Sequence, residues 1–253
     1  MRPPFSLYGG KQIISNKIIK LIPTHNLYVE VFAGSSSIFW IKKPSKKEIL
    51  NDLDFDIINF NRCLKYYQNE LCCVIYSLSY NAKTFRKCFD FLKNPCYSDK
   101  PNIRRAAAYW FCQNASFSSI GTSIGSFDRA FNKKDWINQD YKNRLFDVEL
   151  FNCDFIDIIT TFDSSDTFFY VDPPYYNATQ HYKYIFDKDK YIQLLDTLSN
   201  IRGKFILSGY PSFLLHNLSK INKWQSQKAE MSLSAARAVG CSRNKIEELT
   251  WNY

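Results

Sequence analysis

Pro173-Pro174 follows directly on the apolar run Phe168-Phe169-Tyr170-Val171, and that junction constrains the fold more than any other part of the chain. A short run of aromatic and β-branched residues reads as a buried strand. The strand must stop at the prolines, because each fixes its own φ and lacks an N–H for the ladder. Asp172 and Pro173 each precede a proline and are held extended, so the Pro173 carbonyl is rigidly presented. Asp172-Pro173-Pro174-Tyr175 therefore stands at the C-terminal end of a strand, and in open α/β sheets ligands bind outside those ends. A carboxylate oxygen and the Pro173 carbonyl can accept the two hydrogens of an NH₂ group while Tyr175 stacks on the attached ring. For the tetrapeptide alone, a plain Pro-Pro turn is an equal reading.

The rest of the chain shifts that balance. A length of 253 residues with 45% hydrophobic content allows one large domain, or a core with a smaller inserted one. The formal charge of +9 favours a polyanionic partner. Eight cysteines include no C-x-x-C pair, and His25, His181 and His216 are widely separated, so no metal site is expected. Free cysteines fit a reducing compartment. No stretch approaches the ~20 apolar residues of a membrane span. A cytoplasmic protein without a membrane partner is the expectation.

Helical periodicity over residues 11–22 ends at Pro23, and strand patterns cover residues 27–32 and 47–50. Between those strands lies the small-residue turn Ala33-Gly34-Ser35-Ser36-Ser37, and the second strand ends in Asn51-Asp52. An acidic strand end about 20 residues after a glycine turn is where a ribose-binding carboxylate is expected. Residues 55–80 and 104–114 carry helical signals, whereas residues 115–135 read as a loop-rich insertion. The α/β pattern returns over residues 150–159, with a helix near 187–200, a strand over 204–209 and a last strand over 249–253.

A dinucleotide fingerprint would need G-x-G-x-x-G where this chain has a single glycine, and the P-loop spacing is absent. What stands in order is Tyr8-Gly9-Gly10-Lys11, then Val29-Glu30-Val31-Phe32-Ala33-Gly34, Asn51-Asp52, and Asp172-Pro173-Pro174-Tyr175. These motifs resemble those of the Dam-type DNA adenine N6-methyltransferases, whose likeness spans most of the chain. The family places a target-recognition insertion between its cofactor half and its catalytic half, and the 120 positions from Asp52 to Asp172 can hold one.

The resemblance implies an α/β, Rossmann-like S-adenosylmethionine-dependent methyltransferase sheet. Residues 1–55 and 150–253 would form the catalytic domain, and residues 56–149 an inserted, mainly helical and loop recognition region. Leu7, Tyr8, Gly10 and Lys11 would contact the methionine end of the cofactor, Phe32 and Gly34 would form its turn, and Asp52 would bind its ribose. Asp172, also set beside the cofactor, would act with Pro173, Pro174 and Tyr175 on an adenine flipped from double-stranded DNA. Asn114, Ser116, Arg129, Lys133 and Lys134 would touch DNA. A monomer in a bacterial or phage-infected cytoplasm is implied.

The chain departs from the family in places. Leu7 stands where an aromatic is common, Ser35 and Ser36 where glycine is usual, and Gln113-Asn114 where GATC readers carry Asn-Arg, so GATC is not implied. Cytosine N4 or RNA remains as a substrate reading. A non-catalytic DNA-binding protein with a decayed methyltransferase fold is the reading from another class.

Overall fold

Phe168 and Tyr170 enter one apolar cluster while Phe169 and Val171 enter another, so the run before the prolines is covered on both faces. That alternation is the period of two of a strand between two layers. The computed structural model describes residues 1–7, 10, 11, 13–96, 98, 100–119, 121–133, 135, 137–176, 183–232 and 244–253. Strands among them are β1 Leu27–Glu30, β2 Lys47–Asn51, β3 Val148–Phe151, β4 Thr167–Val171, β5 Lys204–Gly209, β6 Gln225–Ser232 and β7 Asn244–Trp251. The helices are α1 Ser15–Leu21, α2 Ser37–Ile41, α3 Phe55–Tyr66, α4 Gln68–Ser77, α5 Ala82–Lys93, α6 Ile103–Ala115, α7 Phe127–Lys133, α8 Gln139–Leu145, α9 Phe155–Phe162, α10 Lys188–Asn200 and α11 Phe213–Asn222.

The strands form one mixed sheet in the order β3-β2-β1-β4-β5-β7-β6. β1 to β5 run parallel, and only β7 and its partner β6 introduce antiparallel pairing. From β1 the chain builds outward through β2 and β3, then returns to place β4 on the other side of β1. The crevice at the ends of β1 and β4 is thus the topological switch point of a Rossmann-like sheet. Among the described residues, no helix is long and apolar enough to cross a membrane.

One face of the sheet is covered by α9, α10 and α11, through Ile158, Ile159, Leu194, Leu198 and Leu215. The opposite face carries α1 and α2 together with residues of α3 to α8, among them Phe60, Leu71, Phe85, Trp110 and Leu145. Residues of the stretch 56–149 belong to the same apolar cluster as Tyr28 of β1, Leu50 of β2 and Phe168 and Tyr170 of β4. Polar caps start several of these helices: the side chains of Asp54, Asn81, Asn102 and Asp154 each accept a backbone N–H of the first turn.

Several elements differ from the pattern read in the sequence. The stretch 55–80 is two helices, broken at Tyr67, whose φ of −135° and ψ of 40° leave the helical region. The segment 115–135 is not all loop, because it contains a turn of 3-10 helix at Phe117–Ser119 and then α7. The last strand starts at Asn244 rather than near residue 249, and β6, which no sequence pattern marked, pairs with it along eight positions.

Candidate active site

The turn after β1 is built on the carboxylate that ends β2. Gly34 N–H donates to Asp52 Oδ2 at 2.8 Å, and Asp54 N–H donates to Oδ1 at 2.8 Å. Asn51 completes the junction, donating through Nδ2 to the carbonyls of Val31 and Cys153 at 3.0 and 3.1 Å. Gly34 has φ +49°, left-handed backbone that a side chain would strain. Burial pushes the Asp52 carboxyl up to about 7, against the pull of its two backbone donors. The serines tighten the turn: Ser35 Oγ and Ser37 Oγ lie 3.0 Å apart in a hydrogen bond.

The N-terminal loop lies against this turn. A Cβ on Gly10 would crowd Leu7 O at 3.3 Å and come into ordinary contact with the hydroxyls of Ser35 and Ser37 at 3.7 Å, so the loop passes close to the turn. Leu7 closes the other side, with Cδ1 3.6 Å from where a Cβ of Gly34 would stand. Phe32 is half-buried between Phe155 and Phe186, with ring centroids 5.7 Å from each. Tyr8 lies outside the described residues.

One residue beyond Gly10, Lys11 reaches the other strand end. Its Nζ lies 2.9 Å from Asp172 Oδ1 and 3.3 Å from Glu247 Oε1, with the lysine side chain only 4% exposed and that of Asp172 19%. The ammonium also sits 5.0 Å from the centroid of the Tyr175 ring. The Tyr175 hydroxyl donates to Glu247 Oε1 and lies 3.5 Å from Asp172 Oδ1, while its ring packs on Tyr210 at 4.4 Å. Burial pushes the Asp172 carboxyl up to about 6; Lys11 opposes the rise and the Glu247 charge adds to it. Pro173 is buried, whereas Pro174 and Tyr175 are half-buried.

Glycine turn, strand-end acid, loop lysine and D-P-P-Y thus meet at the switch point. The expected DNA contacts do not all face outward. Asn114 and Ser116 are fully buried, and this corrects their reading as DNA contacts. Asn114 Nδ2 donates back to Trp110 O at 3.1 Å within α6, and Ser116 Oγ accepts Gly121 N–H at 2.8 Å to shape the following loop. Arg129 and Lys133 are on α7 with side chains outside the described set, as is the whole of Lys134. Sequence reasoning missed Glu247, Ser208 and Tyr210. An acid alternating with Leu249 in the last strand was the available signal, since it places a carboxylate on an apolar face.

Comparison with known proteins gives the same direction. The family model of the D12 class N6 adenine-specific DNA methyltransferase matches residues 8–239. The type II methyltransferase M.CviBI of Paramecium bursaria Chlorella virus NC1A is 21% identical over 218 residues, covering 82% of each chain. The type II methyltransferase M.MjaIII of Methanocaldococcus jannaschii is 26% identical over 231 residues, 77% of this chain and 78% of the relative. A DNA N-6-adenine-methyltransferase of Escherichia phage P1 is 24% identical over 95% of this chain but only 33% of its own length.

Proposed function

Because the chain belongs to the D12 class N6 adenine-specific DNA methyltransferase family, we propose that it moves a methyl group from S-adenosylmethionine to N6 of an adenine flipped out of double-stranded DNA. The observation that carries this reading is the junction of Gly10 and Lys11. A Cβ on Gly10 would stand 3.7 Å from the hydroxyls of the turn after β1, and its neighbour Lys11 pairs with the Asp172 carboxylate after β4, which supports donor and acceptor sites side by side.

The residues present fit such a donor. Gly10 and Gly34 keep side chains out of the crevice beside Leu7, and Asp52 has lone pairs beyond the two that Gly34 and Asp54 use. Asp52 would hold the ribose hydroxyls, Lys11 and Leu7 would border the methionine end, and Phe32 would flank the turn. When bound, S-adenosylmethionine supplies an electrophilic methyl group on a cationic sulfur.

The chain's own part is to grip the amine. The N6 lone pair is delocalised into the adenine ring, and it becomes nucleophilic when the two N–H bonds are held out of the ring plane, so that the nitrogen pyramidalises and its lone pair leaves that conjugation. Asp172 and the Pro173 carbonyl would accept those two hydrogens, and the carboxylate would stabilise positive charge growing on nitrogen. The alkylated amine is acidic enough to pass its proton to Asp172 without a strong base. Tyr175 would stack on the flipped base, offsetting part of the few kcal/mol of unstacking.

The test is incubation of the protein with long unmethylated DNA and labelled S-adenosylmethionine, followed by base-resolution mapping of N6-methyladenine. Methyl groups on cytosine, or none at all, would overturn the reading. Asp52 gives a separate prediction. Asp52→Ala is expected to raise the KM for S-adenosylmethionine by about tenfold or more, from the loss of charged hydrogen bonds. Calorimetric titration checks it directly, and a parental cofactor affinity would remove Asp52 from the donor site.

A further inference from the structure

Glu247 reaches the site from the far end of the chain. β7 runs antiparallel to β5, with Glu248 opposite Gly209 and Leu249 opposite Ser208. The beginning of the last strand therefore lies beside the end of β5, on the same sheet edge from which D-P-P-Y emerges. Glu247 is 0% exposed, and its Oε1 collects the Ser208 hydroxyl at 2.8 Å, the Tyr175 hydroxyl and the Lys11 ammonium at 3.3 Å. Its Oε2 is buried without a hydrogen-bond partner among the described residues.

A buried carboxylate is expensive unless it is paired, and this one meets three donors on one oxygen. A glutamine would satisfy the two hydroxyls. What the carboxylate adds is charge, and the charge faces a lysine that already serves Asp172. We propose that Glu247 is a positioning residue for methyl transfer, anchoring the Tyr175 hydroxyl and sharing the Lys11 ammonium so that Asp172 is not drawn wholly into the ion pair. The inference rests on the reading of D-P-P-Y as the amine-holding motif.

Two separate effects follow. Position comes first: the phenol bond to β7 fixes the plane of the Tyr175 ring, which Tyr210 supports from one side. Charge comes second: the groups facing Asp172 are Lys11 from the N-terminal loop, Glu247 from β7, Tyr175 of its own motif and Tyr170 of β4. Of these, Glu247 raises the Asp172 carboxyl and Lys11 lowers it.

Glu247→Gln and Glu247→Asp separate the two effects. Glu247→Gln keeps the reach but not the charge. It is expected to reduce kcat by about tenfold, as for loss of a charged hydrogen bond, with KM for DNA and cofactor within twofold. The acid limb of its kcat profile should move to lower pH, because Asp172 then ionises without a second carboxylate charge facing it. Glu247→Asp keeps the charge but withdraws it, so kcat should fall while the acid limb stays in place.

A merely structural role would lower the amount of active protein and leave the limb of Glu247→Gln unmoved. That result, or parental kcat in both variants, overturns the inference. If neither variant folds, Ser208→Ala removes one donor from the same carboxylate and should lower kcat about threefold at unchanged KM. Parental kcat there overturns the inference as well. Asp172→Ala is run alongside: if it remains active, the D-P-P-Y reading itself fails, whereas an inactive Asp172→Ala beside a parental Glu247→Gln sinks only the role of Glu247.

Discussion

Asp172→Ala is expected to slow single-turnover methyl transfer by about 10²–10³-fold or more, the scale of removing one preorganised group that faces developing charge. DNA and cofactor affinities should change by only a few-fold, because the carboxylate works on the amine as its charge grows. The geometry explains why the loss should be large. Asp172 is held at the end of a fully buried strand, fixed by the following prolines, and its Oδ1 is clamped 2.9 Å from Lys11. Asp172→Asn tests the charge separately, since the amide keeps one acceptor oxygen but presents N–H groups where the amine also has donors. It should be nearly as slow as the alanine variant. A rate within tenfold of the parent for Asp172→Ala would remove the motif from catalysis.

The same carboxylate sets a pH dependence. Only the ionised form can stabilise the positive charge growing on N6 and take its proton, so kcat/KM should rise with pH through about 6, the value to which burial pushes Asp172. Its stability effect has the opposite sense. A carboxyl raised above its unfolded value contributes stability that is present below the unfolded pKa and lost as pH rises through the folded one. Asp52, pushed up to about 7, acts in the same direction. The unliganded protein should therefore lose stability from these two groups as pH is raised from about 4 to 7, while its activity increases. A thermal melt series on the parent and on Asp52→Asn checks the sign, the variant showing the shallower fall.

The parallel half of the sheet was legible because its strands are buried on both faces and bounded by turn residues. Lys204–Gly209 is one case, and the Phe168 run before Pro173 is another. β6 was not legible, because its first four residues, Gln225 to Lys228, are exposed edge positions with no apolar alternation. The break at Tyr67 has neither glycine nor proline to mark it, so two helices read as one. Asn114 misled for a related reason. α6 is buried nearly all round, and on such a helix polarity does not report which side faces water. Glu247 depends on a contact with Tyr175 across 72 positions, which strand pairing creates and local pattern cannot reveal.

Arg105→Ala is expected to destabilise the protein by about 3–5 kcal/mol, the scale of breaking a buried ion pair from one side. For a chain of this size that corresponds to a fall of roughly 6–20 °C in Tm. Arg105 is 2% exposed and forks onto Asp56, with Nε 2.5 Å from Oδ1 and Nη2 3.0 Å from Oδ2. Its remaining donors reach the carbonyls of Leu92 at 3.0 Å and Asn94 at 2.8 Å, groups at the end of α5 that the helix cannot satisfy itself. One guanidinium thus ties α6 to α3 and closes α5. Removing it leaves the Asp56 carboxylate buried, with the partly exposed Lys183 at 3.5 Å as its remaining ion-pair partner among the described residues. Arg105→Lys should lose more than half as much stability, because an ammonium cannot reproduce the planar fork. The damage should extend to the cofactor end, since α3 begins at the Asp54 cap, whose own N–H holds Asp52. Urea unfolding measures the loss, and less than about 1 kcal/mol would show the pair to be incidental. The double variant Arg105→Met with Asp56→Leu identifies the cause. If the orphaned charge dominates, the double variant recovers much of what Arg105→Met alone loses; if the carbonyl bonds of α5 dominate, it recovers little.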